Sequence, residues 1–174
     1  MTPMTGGRAV VEAIDRERVE HVFLVPGESL LSVLDGPYEH PRLKVHAAGH
    51  EGGASIVPLG NARSLRDARR YAWRSEGRAP RTLSIGLTAW RKDSVLMAFV
   101  TQAGTWVGDE NPSADLVGML RPHCKAVTKL SRMDRVAEQT QAPFGIGQEG
   151  RPRVVAVVIP EDTRRPTCDF EFRR

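Results

Sequence analysis

The amino-acid sequence predicts an α/β fold, a three-layer sandwich around a mainly parallel sheet. Two continuous apolar runs, 95–100 and 154–159, are typical of parallel strands buried on both faces. Helix-like and strand-like stretches also alternate along the chain, as they do where helices cover both faces of a sheet. A chain of 174 residues has the size of one domain with one core. We therefore expect a ligand crevice beyond the carboxyl ends of the strands.

The elements follow one another in the amino-terminal third. Apolar residues spaced as one stripe predict a helix that begins near Thr5: Val10, Val11, Ile14 and Val19. A short strand over 21–25 follows, then a helix around Leu30 to Leu34 and a strand over 43–45. A third helix is predicted over 50–61, with Pro58 unfavourable in its middle. We expect a domain over 1–163 and a polar, frayed tail over 164–174.

Composition excludes several classes of protein. No stretch has the roughly 20 apolar residues of a membrane helix, and no apolar signal core follows the amino terminus. Cys124 and Cys168 lack C-x-x-C partners, so we expect free thiols in the cytoplasm and no metal site. The net charge of +4 comes from residues 60–82, where seven arginines stand against two acidic residues. A nucleic-acid binder is the weaker interpretation, because the segment lacks an aromatic stacking platform.

Two short motifs could carry chemistry. Val25-Pro26-Gly27-Glu28-Ser29 joins a strand to a helix, where a glycine lets backbone approach a ligand and the helix start offers free N–H groups. His50-Glu51-Gly52-Gly53-Ala54-Ser55 sets a carboxyl among small residues, an arrangement suited to proton exchange. Taken singly, each has a simpler interpretation: a tight turn, and a surface glutamate favoured by the helix dipole.

Taken together, the motifs resemble a known family. With Gly-Gly-Arg-Ala-Val-Val-Glu-Ala at 6–13, Ser-Ile-Gly-Leu at 84–87 and the strand region at 150–162, their order and spacing are similar to the pyrimidine-binding amino-terminal domain of acetolactate synthase-type thiamine diphosphate enzymes. The resemblance implies that Glu51 is catalytic and hydrogen-bonds the aminopyrimidine of thiamine diphosphate. It also implies that Pro26, Gly27 and Gln102 bind the cofactor, although Thr101 stands where the family has glycine before that glutamine.

The segment 65–82 departs from the family, which has an apolar strand followed by Gly-Pro-Gly-Ala-Thr-Asn. Shifted codons that begin at the third base of each observed codon can read TAGRPAVCLALRGPGATN over these positions, which restores both strand and loop. We infer two compensating frameshifts, one near Ser64 and one near Thr82. Because an unpaired buried arginine costs several kcal/mol, we expect the sheet to be disrupted around 64–82 and the segment to lie outside it.

The resemblance also implies a second half of the site. The family binds diphosphate through Mg²⁺ held by a Gly-Asp-Gly…Asn motif on another domain, and the site forms between two subunits. Nothing in the sequence matches that motif, since Gly108-Asp109-Glu110 lacks the second glycine. We expect a truncated domain from an enzyme that condenses or decarboxylates 2-oxo acids, inactive alone, in a homodimer. The alternative is a non-catalytic subunit that completes a site with a separate diphosphate-binding chain.

Overall fold

A computed structural model of the protein describes residues 3–27, 33, 40–57, 71–76, 87, 97–101 and 115–172. Within these residues, two strands pair antiparallel and six form a parallel sheet in the order β3-β2-β4-β5-β7-β6. The strands are β1 (Met4–Thr5), β2 (His21–Leu24), β3 (Lys44–Ala47), β4 (Tyr71–Glu76), β5 (Met97–Thr101), β6 (Ala126–Lys129), β7 (Val155–Ile159) and β8 (Thr167–Cys168).

Helices precede or follow most of these strands. They are α1 (Gly6–Arg16), α2 (51–57), α3 (Leu116–Leu120), α4 (Val136–Gln148), which a 3₁₀ turn over Met133–Arg135 precedes, and α5 (Glu161–Arg164). In the part of the chain that the structure describes, none of the helices has the length and apolar character needed to cross a membrane. The predicted α/β fold with a parallel sheet is confirmed.

Two apolar clusters cover the two faces of the sheet, which makes the architecture three-layered. On one face, Val155 and Val157 of β7 pack in one cluster with residues of α1 and α4. On the other face, Ala156 and Val158 belong to a second cluster with residues of α2 and α3. Alternate residues of a strand point to opposite faces, so a strand that is apolar throughout is buried from both sides.

Helix α1 begins and ends at recognisable caps. The Thr5 hydroxyl accepts a hydrogen bond from the Arg8 N–H at 3.3 Å, which satisfies one of the free donors of the first turn. At the other end Arg18 has φ 60°, its N–H donates to the Asp15 carbonyl, and the Val19 N–H donates to the Ile14 carbonyl. This is a Schellman motif with arginine where glycine is usual. Val19, predicted within the helix, lies just beyond it and is buried.

The expected disruption of the sheet is corrected for residues 71–76. Tyr71–Glu76 is a central strand, parallel to β2 with His21 opposite Tyr71 and parallel to β5 with Ala72 opposite Met97. The expectation rested on the cost of burying arginine side chains, whereas pairing in a sheet uses only backbone groups. An unfilled gap between β2 and β5 would leave two rows of backbone donors and acceptors without partners. Residues 64–70 and 77–82 lie outside the described residues.

The expected fraying of the carboxyl-terminal segment is also corrected, for residues 164–172. Strand β8 pairs with β1, with Met4 opposite Cys168. Arg164 and Phe170 are buried, and the Arg16 guanidinium lies 4.5 Å from the centroid of the Phe172 ring. The Gly6 N–H donates to the Pro166 carbonyl at 3.1 Å. These contacts hold the segment against the start of the chain, a long-range arrangement that local polarity does not predict.

Candidate functional site

The strand order predicts a crevice at the carboxyl ends of the strands, which we call the carboxyl edge of the sheet. From β2 the chain passes to β3 on one side and then to β4 on the other side of β2. The change of direction lies between β2 and β4, and open α/β sheets bind ligands beyond the carboxyl ends of the strands at such a point. Leu24 is opposite Ala47, and the Ala48 N–H donates to the Leu24 carbonyl at 2.8 Å. The loops that follow β2 and β3 therefore leave the sheet side by side.

Glu51 lies on the second of these loops, at the first residue of α2, and is half-buried. The Gly52 N–H donates to the Nδ1 atom of His50 at 3.2 Å, and the Ala54 N–H donates to the His50 carbonyl at 3.0 Å. The Ser55 hydroxyl donates to the Gly52 carbonyl at 2.7 Å. His50 thus caps the helix and orients the turn that carries Glu51. Sequence reasoning missed this cap because histidine is not among the usual capping residues.

Pro26 and Gly27 lie on the first loop, directly after β2. Pro26 is exposed and Gly27 is half-buried. Because β2 and β3 are parallel and end side by side, this turn lies at the same edge as Glu51. The structure therefore brings three of the four predicted site residues to one edge of the sheet. Gln102, the fourth, follows β5 and lies outside the described residues. The roles assigned to all four remain predictions.

The surroundings of Glu51 are open in the described part of the chain. An added Cβ at Gly53 or Gly49 would meet no described atom within 4 Å. Gly49 and Gly53 are exposed, whereas Gly52, directly after Glu51, is buried. The described residues contain no group of three or more histidine, cysteine or acidic side chains that could hold a metal ion.

The two cysteines are free thiols, as expected. Burial raises the pKa of the Cys124 thiol to about 12, so this residue stays protonated at neutral pH. A protonated thiol is a poor nucleophile and a poor metal ligand. Among the described residues that follow β2 and β3, the Glu51 carboxyl and the backbone groups of Pro26 and Gly27 are the groups that the sequence predicts to contact a ligand.

Comparison with protein families gives one match. The family described as "Thiamine pyrophosphate enzyme, N-terminal TPP binding domain" matches residues 4–68. That range contains α1, β2, β3 and α2, and with them Pro26, Gly27 and Glu51. It ends within the arginine-rich segment.

Curated relatives align with almost the whole chain. The probable acetolactate synthase large subunit of Methanocaldococcus jannaschii is 26% identical over 97% of this chain and 29% of its own length. The acetolactate synthase large subunit of Haemophilus influenzae is 27% identical over 99% of this chain and 30% of its own length. The acetolactate synthase of Mycobacterium avium is 28% identical over 97% of this chain and 27% of its own length. The chain thus spans less than a third of these relatives. It is similar to the thiamine diphosphate-binding amino-terminal domain of acetolactate synthase large subunits.

Proposed function

We propose that residues 1–174 form the pyrimidine-binding half of a thiamine diphosphate site from an enzyme that condenses or decarboxylates 2-oxo acids. The observation that carries the proposal is the position of Glu51 and of the Pro26-Gly27 turn on neighbouring loops at the carboxyl edge, beside the change in strand direction. This edge is where an α/β sheet binds its ligand. We place the protein in the cytoplasm, where its two free thiols remain reduced.

Each residue has a distinct part in this proposal. The Glu51 carboxyl hydrogen-bonds the ring nitrogen of the aminopyrimidine and holds the exchangeable proton at that atom. The backbone of Pro26 and Gly27 lies along the ring, and Gln102 contributes a further polar contact. The cofactor, when bound, supplies the carbanion chemistry, and the protein supplies orientation and the proton. His50 acts on Glu51 through the capped turn rather than on the ring.

The diphosphate half of the site lies outside these residues. The relatives are more than three times as long as the aligned region, and the described residues contain no group of three or more histidine, cysteine or acidic side chains that could hold a metal ion. Mg²⁺ and the diphosphate therefore need another domain, either on the same polypeptide or on a separate subunit of a dimer. A neighbouring open reading frame with a Gly-Asp-Gly motif supports the separate subunit.

Ligand titration followed by NMR tests the half-site. Pyrimidine contacts alone give a small ligand an affinity of about millimolar or weaker. Thiamine and thiamine diphosphate should therefore bind equally weakly, with chemical-shift changes at 24–27 and 48–54. Glu51→Gln should weaken binding several-fold, whereas the matched exposed control Glu171→Gln should not. Shift changes centred elsewhere, or equal affinity of the Glu51→Gln variant, would contradict the proposal.

Turnover by the chain alone gives a second test. With pyruvate, thiamine diphosphate and Mg²⁺, residues 1–174 should form no acetolactate above background, because the diphosphate has no anchor. If the chain forms acetolactate and Glu51→Gln abolishes it, residues 1–174 hold more than half of the site, and the role assigned to Glu51 still stands.

We also propose that residues 65–82 arose from two compensating frameshifts. The neighbouring frame reads Val-Cys-Leu-Ala-Leu-Arg at positions 71–76, which are the bounds of β4, and Gly-Pro-Gly directly after them. An apolar run of this kind is typical of a strand between two others in a parallel sheet. The family match, which ends at residue 68, supports the same position for the change.

Two measurements test the frameshifts. The DNA between the codons of Ser64 and Leu83 should encode Gly-Pro-Gly-Ala-Thr-Asn in the neighbouring frame. A protein with the neighbouring-frame sequence at 65–82 should gain more than about 2 kcal/mol in the free energy of unfolding, because a central parallel strand with helices on both faces is stabilised by apolar side chains. A shuffled sequence of the same composition is the control. A DNA sequence without the motif, or equal stability of the restored and shuffled proteins, would exclude the frameshifts.

A further inference from the structure

Two histidines meet on the neighbouring strands β2 and β3. The Nδ1 atom of His21 and the Nε2 atom of His46 are 2.9 Å apart, which is a hydrogen bond with one proton between the two rings. The ring centroids are 5.2 Å apart and the ring planes differ by 24°. Nearly parallel planes with adjacent nitrogens and separated centroids mean that the rings face each other through their nitrogen edges. The two nitrogens and the two ring centroids are nearly collinear, so the nitrogens point at each other head-on.

The sheet holds this pair in place. His46 is opposite Phe23 in the parallel register, and its ring lies on the Phe23 ring with centroids 4.7 Å apart and planes 17° apart. Phe23 is itself 6% exposed and belongs to the core. The position of the His46 imidazole thus depends on a buried aromatic ring. His21 is the first residue of β2, so pairing of that strand with β3 fixes the backbone that carries its ring.

The pair is accessible. His46 is exposed and His21 is half-buried. His21 is the first residue of β2, and His46 is the third of the four residues of β3, five residues before Glu51. Late first-row divalent cations bind neutral imidazole nitrogens, with Cu²⁺ preferred over Ni²⁺ and Zn²⁺. Two nitrogens that bind one tetrahedral ion at the usual bond length are about 3.3 Å apart, with each lone pair turned about 35° from the line that joins them, so these rings need to separate by about 0.4 Å and to turn by that angle.

We propose that His21 and His46 form a two-histidine site for a late first-row divalent cation. The ion takes the place of the shared proton, that proton passes through solvent to the other nitrogen of the ring that donated it, and water completes the coordination. Neither the resemblance to thiamine diphosphate enzymes nor the proposed role of Glu51 includes this site. In the described part of the chain no third histidine, cysteine or carboxylate joins the pair in a cluster. Two imidazole ligands with water bind a divalent ion reversibly and favour Cu²⁺ over Ni²⁺ and Zn²⁺.

Metal titration of the purified chain tests the site. With Cu²⁺, the electron paramagnetic resonance spectrum should show hyperfine coupling to two imidazole nitrogens at one equivalent. His21→Asn and His46→Asn should each weaken binding at least about tenfold, as even the loss of a supporting partner of a ligand costs that much. His40→Asn is the matched control. The His40 ring nitrogens lie 3.6 Å from carboxylate oxygens of Glu12 and Asp15, and these two carboxylates also attract cations.

The outcomes separate clearly. Tight binding that His40→Asn abolishes, or that survives both His21→Asn and His46→Asn, would overturn the proposal and indicate the thiols, the amino terminus or the acidic pair as ligands. If an asparagine variant unfolds, the spectrum of the unmodified protein decides, since coupling to fewer than two nitrogens rules the site out. Binding of thiamine does not enter these measurements, so failure here leaves the proposed function unaffected.

Discussion

Strands β7 and β3 differ in almost every physical respect. All five residues of β7 are at most 1% exposed, and neighbouring strands flank it on both sides. Strand β3 is at the edge of the sheet, all four of its residues are exposed, and α2 beside it carries exposed Ile56 and Val57. The difference indicates that β7 and its helices contribute most to stability. Glu51 of the candidate site follows β3, which is the sparsely packed lateral strand of the sheet. Residues of that strand are free to serve a ligand.

The largest expected effect is at the junction of α1 and α5. A Cβ added at Gly6 would lie 1.8 Å from the Thr163 carbonyl oxygen, a backbone atom that cannot move aside alone. Gly6→Ala should therefore lower the free energy of unfolding by about 3 kcal/mol, at the upper end of the usual cost of overpacking. Urea denaturation followed by circular dichroism measures the change. A loss below about 1 kcal/mol would show that α5 is loosely attached.

Removal of two methyl groups compares β7 and β3 directly. Val157 of β7 is fully buried, whereas Val45 of β3 is 40% exposed. Val157→Ala should cost about 2 kcal/mol through lost burial and the cavity left behind, and Val45→Ala about 0.5 kcal/mol or less. The same denaturation experiment provides both values. Equal losses would mean that a partner or another segment covers β3 in solution.

A smaller effect of opposite sign is expected in α2. Gly53 lies within this helix, and an added methyl group would meet open space among the described atoms. Gly53→Ala should raise the free energy of unfolding by roughly 0.5–1 kcal/mol, because alanine loses less backbone entropy in a helix. The substitution serves as a control for Gly6→Ala. Destabilisation instead would reveal a neighbour close to this face of α2.

The smallest effect concerns a charge near the well-packed half of the molecule. Burial raises the pKa of Glu17, and the hydrogen bond from the Gln141 side chain at 3.3 Å offsets only part of this shift. The folded state thus disfavours the carboxylate, and the contribution of Glu17 to stability is present below its ordinary pKa of 4.5 and lost as the pH rises through the higher folded value.

Glu17→Gln should accordingly stabilise the protein at pH 7 by a few tenths of a kcal/mol, since solvent screens a half-exposed group. The gain should disappear as the pH falls below 4.5. Denaturation curves at pH 7 and pH 4 measure it, with Gln139→Glu as a control for charge on α4. A gain that is equal at both pH values would indicate a packing effect instead.

Sequence patterns predicted the elements whose signals are local. The stripe of α1, the start of β2 and the apolar runs of β5 and β7 all correspond to observed elements. Helix α4 was not predicted, because Pro143 interrupts its pattern and its apolar residues do not form one clear stripe. Strand β6 was not predicted either, since half-buried Ala-Val-Thr-Lys has neither an apolar run nor a clear alternation.

By itself the sequence determined the fold class and the resemblance to the thiamine diphosphate domain, because these depend on short motifs and local periodicity. The same motifs predict the residues of the candidate site. The tertiary structure decided that Tyr71–Glu76 completes the sheet, that β8 pairs with β1, and that His21 meets His46. Each of these contacts joins residues far apart in the chain. They form because buried backbone groups must find partners and because strand register brings distant side chains together, and neither requirement is visible in a window of local sequence.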